Sequence, residues 1–229
     1  MYEGTTKFNP STTLDSLYMT VLQGAFGHGR PEHDPMIRSA LGAVVLATNP
    51  LSPSSIATLL GIDPTSIFLQ LSSIHSLLIL QDDVSHVQPF HKSFPDFIID
   101  PTRCTNERFH ISPPSHHLEL LLGCLKLMNQ RSEKNMCRIP DVVNNSKVDD
   151  LQERTRQYID DGLQYACKSW YKHLVDANTT PSHVFEITSV LHQFLEKKFL
   201  FWLEVLSVLG TVRAAVDALE VAAKWLGVC

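Results

Sequence analysis

At 229 residues, 44% of them hydrophobic, the chain is long enough to bury one large core or two small ones. Its net charge of -5 excludes a general attraction to nucleic acid or anionic lipid, and residues 31–100 account for all of it, with Arg38 and Lys92 set against seven carboxylates. Five cysteines (Cys104, Cys124, Cys137, Cys167 and Cys229), odd in number and without a CxxC pair, fit reduced thiols in a cytoplasmic protein better than a disulfide framework.

Residues 1–13 are polar and expected to be frayed, with no basic and apolar run of the kind a secretory signal needs. Leu14, Leu17, Tyr18, Val21 and Leu22 then recur at helical spacing and predict a helix over about 14–26. Ile37, Leu41, Val44 and Val45 predict a second over 35–48, stopped by Asn49-Pro50. The next stretch, LSPSSIATLLGIDPTSIFLQLSSIHSLLIL, spells out two helix starts and a stop. Ser52 is placed to cap a helix whose first residue is Pro53, Gly61 to end it in the left-handed conformation, and Asp63-Pro64 to start another reaching about Ser76. LLIL at 77–80, the polar tip QDDVS and HVQPF read as a hairpin. Three helices and a hairpin describe a winged helix.

In "QPFHKSFPDFIID", residues 88–100, His91 stands between the second strand and a short helix. Ser93 and Asp96 have capping-box spacing, and Phe94, Phe97 and Ile98 share a face. TRCTNERFHISPP is expected to be a linker. Beyond it the pattern is helical throughout. Ser115 precedes Leu118, Leu121, Leu122, Leu125 and Met128. Asp160 and Asp161 favour the start of a helix with Leu163, Ala166, Cys167, Trp170 and Leu174 inward. Thr180-Pro181 starts another with Ile187, Leu191, Phe194 and Leu195, and Thr211 is placed to cap a last helix after Gly210. Residues 130–156 are expected to form one long mobile connection. Tyr165, Trp170, Trp202 and Trp225 lie on apolar stripes and read as packing residues. The most apolar run, 199–210, carries Glu204 and is too short to cross a bilayer, so no membrane association is expected.

Little else has the look of chemistry. The second short helix of the helix-turn-helix contains no lysine or arginine, which argues against insertion into a DNA groove. Cys104, His110, His116 and His117 lack the spacing of a metal site, and His116 and His117 read as a solvated surface pair. No cysteine has the surroundings of a catalytic nucleophile. No GxxxxGK[ST] phosphate loop and no GxGxxG occurs. The Asn-x-Ser/Thr matches at Asn144 and Asn178 read as chance.

The stretches LDSLYMTVLQGAF, LGAVVLATNPLSPSSIATLLGID, HSLLIL, HKSFPDFIIDPTRC, LQYACKSWYKHL and FLFWLEVLSVLG together resemble the segment that follows the nucleotide-binding core in fungal NACHT-type STAND NTPases, the NLR-like signalling proteins of mushrooms. The resemblance implies a mostly α fold. Residues 1–30 would be a frayed start and the residual last helix of the NTPase module, 31–101 a winged-helix domain, 102–114 a linker, and 115–229 a helical domain with a long loop around 130–156. It also implies that His91 matches the histidine of the Met-His-Asp motif, which reaches the β-phosphate of ADP in the closed state of related proteins. Lys92 stands where that motif has aspartate. By this reading the chain is non-enzymatic and has no cofactor of its own. Its partner is an NTPase core, or another protein, supplied in trans. The apolar face left by the absent core predicts self-association. Two other readings stay open, a winged-helix nucleic-acid-binding regulator and an independent helical scaffold that binds protein.

Overall fold

A computed structural model describes residues 10–27, 34–140, 144–177 and 179–227, and is 67% helical. Of residues 1–13, expected to be frayed, residues 10–13 instead belong to the first helix, while residues 1–9, most of the loop before the second helix, Asn178 and Cys229 lie outside the described residues.

Local grammar is obeyed most closely where the chain states it most fully. After α1 (Pro10–Phe26) and α2 (Asp34–Leu46), α3 (Pro53–Leu60) begins with Ser52 Oγ accepting from the Ser55 N–H at 3.2 Å. It ends at Gly61, whose φ of 66° would strain any residue with a Cβ. Asp63 caps α4 (Pro64–Ser72) by accepting from the Ser66 N–H at 2.8 Å. That helix stops before the expected Ser76, because the Ser73 hydroxyl donates to the Gln70 carbonyl at 2.6 Å and the backbone tightens into Leu77 N–H to Ile74 O.

Strands β1 (Leu78–Ile79) and β2 (Gln88–Pro89) pair antiparallel, Leu78 opposite Pro89 and Ile79 opposite Gln88. One further bridge matters. Leu51, just before α3, pairs with Val87, whose N–H donates to the Leu51 carbonyl at 2.8 Å. The hairpin therefore closes back on the start of the helix-turn-helix, with Leu51 and Val87 both buried.

After α5 (Ser93–Ile98) the chain runs through a connection and into α6 (Pro113–Arg131). Cys104, Phe109 and Ile111 are buried in that connection, so it is packed along its length. The α6 helix begins two residues before the expected Ser115, since Pro113 and Pro114 fall in the first turn where a missing N–H costs no bond. The expected mobile connection is instead tied down where it is described. The Asn135 side chain bonds both the N–H and the carbonyl of Ile139, and Lys198 reaches the Ser132 carbonyl at 2.7 Å. It also contains a 3-10 turn (Asn145–Lys147) and a helix, α7 (Leu151–Tyr158), in which Arg154 bridges Asp150 and the Arg138 carbonyl. Residues 141–143 of this stretch lie outside the described residues.

The remaining helices are α8 (Asp161–Asp176), α9 (Pro181–Lys197), α10 (Phe199–Val208) and α11 (Arg213–Leu226). Asp160 and Thr180 cap α8 and α9 as the sequence predicts, whereas Thr211 does not cap α11: its hydroxyl is buried without a partner. The long helices α6 and α8 pack on each other most extensively, α2 and α3 contact α6, α9 packs on α6, and α10 and α11 pack on α8. Buried side chains from Tyr18 to Ala222 make one continuous cluster.

Gly123 sets how closely α3 and α6 approach. A Cβ there would fall far inside van der Waals distance of the Leu59 carbonyl oxygen, a backbone atom at the end of α3. Alanine is the better helix former by about 1 kcal/mol, yet overpacking of this kind typically costs about 1–3 kcal/mol. Gly123→Ala is therefore expected to lower the urea midpoint. Gly24→Ala in α1, with nothing within 4 Å of the added carbon, is the control that should not.

Candidate functional site

His91 lies where the chain leaves β2 and enters α5, and its side chain is exposed. Its Nδ1 is 2.7 Å from Ser93 Oγ and accepts from the Ser93 backbone N–H at 3.2 Å. The expected capping box is not formed. Lys92 occupies the N-cap position in helical conformation and gives no side-chain cap bond, while Ser93 is already helical, its hydroxyl turned back toward the imidazole. The N-terminus of α5 is thus capped by Nδ1 of the His91 ring, an acceptor that sequence spacing does not advertise.

Behind this corner stands α1. Tyr18 is 5% exposed, packs edge-on against Phe94 with ring centroids 5.4 Å apart, touches Phe97 at 5.5 Å, and brings its Oη to 2.6 Å from Ser93 Oγ. A bidentate pair, Arg103 to Asp15 at 2.6 and 3.1 Å, ties the turn after α5 to the same helix. Apolar side chains of these elements are exposed. Phe90 is 73% exposed, and α1 leaves Leu17 54% exposed.

The histidines set aside on spacing have other duties. His110 Nε2 is 3.3 Å from the Ile99 carbonyl, and His116 Nδ1 is 2.9 Å from the Ser112 carbonyl with its ring in the space left by Gly42. The surface pair expected at His116 and His117 is a correction. Both sit half-buried in the first turns of α6, and His117 Nδ1 is 2.8 Å from Nδ1 of His173, a fully buried residue of α8. His173 Nε2 is 2.7 Å from Tyr165 Oη, which accepts from the Thr48 N–H at 3.1 Å. Burial pushes the His173 pKa down to about 3, with His117 and Lys172 adding to the effect, and burial also lowers that of His117. This network staples α6, α8 and the residues after α2.

The described cysteines are buried, and burial raises the Cys104 thiol to about 11, away from the reactive range. Among the described residues no three His, Cys, Asp or Glu side chains are grouped to hold a metal ion. A cleft of about 580 Å³ lies between α3, the hairpin tip at Val84 and the start of α8, and does not include His91. It is lined by Ser54, Thr58, Arg156, Asp161 and Gln164, with Asp160 engaged by Arg131 and Asp161 4.0 Å from His86 Nε2. Among the described residues no helix is long and apolar enough to cross a membrane.

Over 93% of its length the chain is 24% identical to vegetative incompatibility protein HET-E-1 of Podospora anserina, and it spans only 17% of that protein's length. No protein-family model and no solved structure matches.

Proposed function

We propose that the chain is a regulatory segment of a NACHT/STAND-like signalling protein, a winged helix followed by a helical bundle that leans on a nucleotide-binding core and biases it between two states. The observation that carries this reading is the His91 corner. An exposed imidazole, anchored at one nitrogen, follows the exposed Phe90 and caps a helix braced by Tyr18. Support comes from the extended similarity to HET-E-1 and from the order of elements, in which Leu51 pairs with Val87 as the first strand of a wing would.

In this proposal His91 donates to a phosphate oxygen of bound ADP when the segment is docked, and Phe90 and the exposed face of α1 meet the core. Lys92, in place of the motif's aspartate, adds a cation beside the same ligand. The segment itself performs no catalysis. No phosphate-binding loop occurs within these 229 residues, so the nucleotide site belongs to another segment or another polypeptide. Titrating ADP into the isolated chain is expected to give no heat. Adding ADP with a separately expressed NACHT-type core is expected to give a complex that His91→Ala weakens. Micromolar ADP binding by the chain alone would sink the division of labour, and an unaffected His91→Ala complex would remove the histidine from it.

A nucleic-acid role is the weaker reading. The helix that would enter the groove, α4, carries no lysine or arginine, exposes Leu69, and is flanked by Asp63 and, on the hairpin tip, by Asp82 and Asp83. Retention on heparin at physiological salt would reverse this preference.

A further inference from the structure

We infer that Ser93 and Tyr18 are positioning residues that hold His91 as its Nε2–H tautomer, so that the corner presents one outward hydrogen-bond donor to an anionic oxygen. The inference rests on the reading of His91 as a ligand contact, but its geometry stands separately. A backbone N–H can only donate, and the Ser93 N–H points at His91 Nδ1 from 3.2 Å. Nδ1 is therefore the unprotonated nitrogen, and the proton of the neutral ring sits on Nε2. The Ser93 hydroxyl, 2.7 Å from the same Nδ1, must also donate to it. That leaves Ser93 Oγ as acceptor for the Tyr18 O–H at 2.6 Å.

The proton order is thus fixed in one direction, Tyr18 to Ser93 to His91. Tyr18 is 5% exposed and has Ser93 as its hydroxyl partner, so breaking the relay would strand a buried O–H. The relay also couples two elements. Tyr18 belongs to α1, whereas Ser93 and His91 belong to the strand-to-helix corner, so a shift of α1 relative to α5 releases the Ser93 hydroxyl and leaves the imidazole held chiefly by the Ser93 N–H. A docked core that moves α1 would in this way loosen the donor without touching the histidine. An outer partner that sets a ring's tautomer in this manner is the usual device by which histidine contacts are oriented.

The test is the imidazole nitrogen spectrum of the full chain, taken above the histidine titration range, with His91 assigned through His91→Gln. The wild type is expected to show Nδ1 as an unprotonated acceptor and Nε2 as protonated. Ser93→Ala, which keeps the backbone N–H bond but loses the hydroxyl, is expected to move both signals part of the way toward the mixture found in free imidazole, Tyr18→Phe to move them less, and Ser93→Thr to restore them. The His173 signals serve as the internal check that each variant is folded. A wild-type Nδ1 that carries the proton, or signals unmoved in folded Ser93→Ala, overturns the relay. A locked tautomer whose Nε2 signal ignores ADP and an added NACHT-type core supports the relay and removes the nucleotide-contact reading instead.

Discussion

Lowering the pH from 7 to 5 is expected to cost the fold about 2 kcal/mol through His173 alone. At pH 7 this histidine is neutral both in the folded chain and in the unfolded chain, where its pKa is about 6.5, so it contributes no pH dependence there. As the pH falls below that value the unfolded chain takes up a proton, while the buried ring, with its pKa down at about 3, does not. Each pH unit in that window costs about 1.4 kcal/mol, and the loss continues until the folded pKa is reached. The hydrogen bonds give the structural reason. Tyr165 Oη accepts from the Thr48 N–H, and its own buried O–H finds an acceptor when it donates to His173 Nε2. His173 then carries its proton on Nδ1 and donates to Nδ1 of His117. A proton added to His117 Nδ1 would set two N–H groups face to face, and one added to His173 Nε2 would oppose the Tyr165 hydroxyl. Of the neighbouring charges, Asp176 eases protonation of His117, while Lys172 and His116 resist protonation of the pair. Urea denaturation at the two pH values measures the loss. His173→Gln, which cannot titrate, should begin less stable at pH 7 but lose little more by pH 5. Equal wild-type stability at both values would show that the buried pair accepts a proton without opening.

The contrast between that network and the helix-turn-helix explains what was legible in the sequence. Ser52-Pro53 with Gly61, and Asp63-Pro64, act within four residues of themselves, so their geometry follows from local chemistry alone. His117 and His173 are 56 positions apart, and neither has a neighbour that marks it; only the packing of α6 on α8 joins them. Gly123 reads as a weak point in a helix, whereas its use lies in the α3 backbone against it. At the candidate site, His91 itself was legible because of the strand-to-helix corner, but its anchoring was not. Ser93 competes with the backbone for two partners, and the winner was decided by Tyr18, far back in the chain. The α7 helix escaped for another reason. It buries no residue of its own and is held by Arg154 to carbonyls of the preceding turn, so it has no apolar stripe to read.

Trp202→Ala is expected to remove about 3–5 kcal/mol, a large part of the 5–15 kcal/mol that folded domains usually hold. Trp202 is fully buried, meets Phe194 at 5.5 Å and Trp170 at 6.2 Å edge-on, and lies 6.0 Å from Phe199. Its indole N–H donates to the Cys167 carbonyl at 2.9 Å, so α10 is bonded to α8 as well as packed on it. Trp202→Phe keeps a ring but loses that bond, and should fall between wild type and alanine. The shape of the unfolding curve carries more than its midpoint. The core runs without a break from α1 through α8 to α11, and α8 carries both the aromatic cluster, through Trp170, and the Thr48 contact, through Tyr165. If that continuity governs cooperativity, the Trp202→Ala variant loses the near-ultraviolet signal of its aromatic cluster and the His173 resonance at one denaturant concentration. If residues 31–101 and 115–229 are separable units, the aromatic signal disappears first while the His91 corner keeps its native spectrum. Residues 115–229 would then have to be treated as a module able to move independently of that corner.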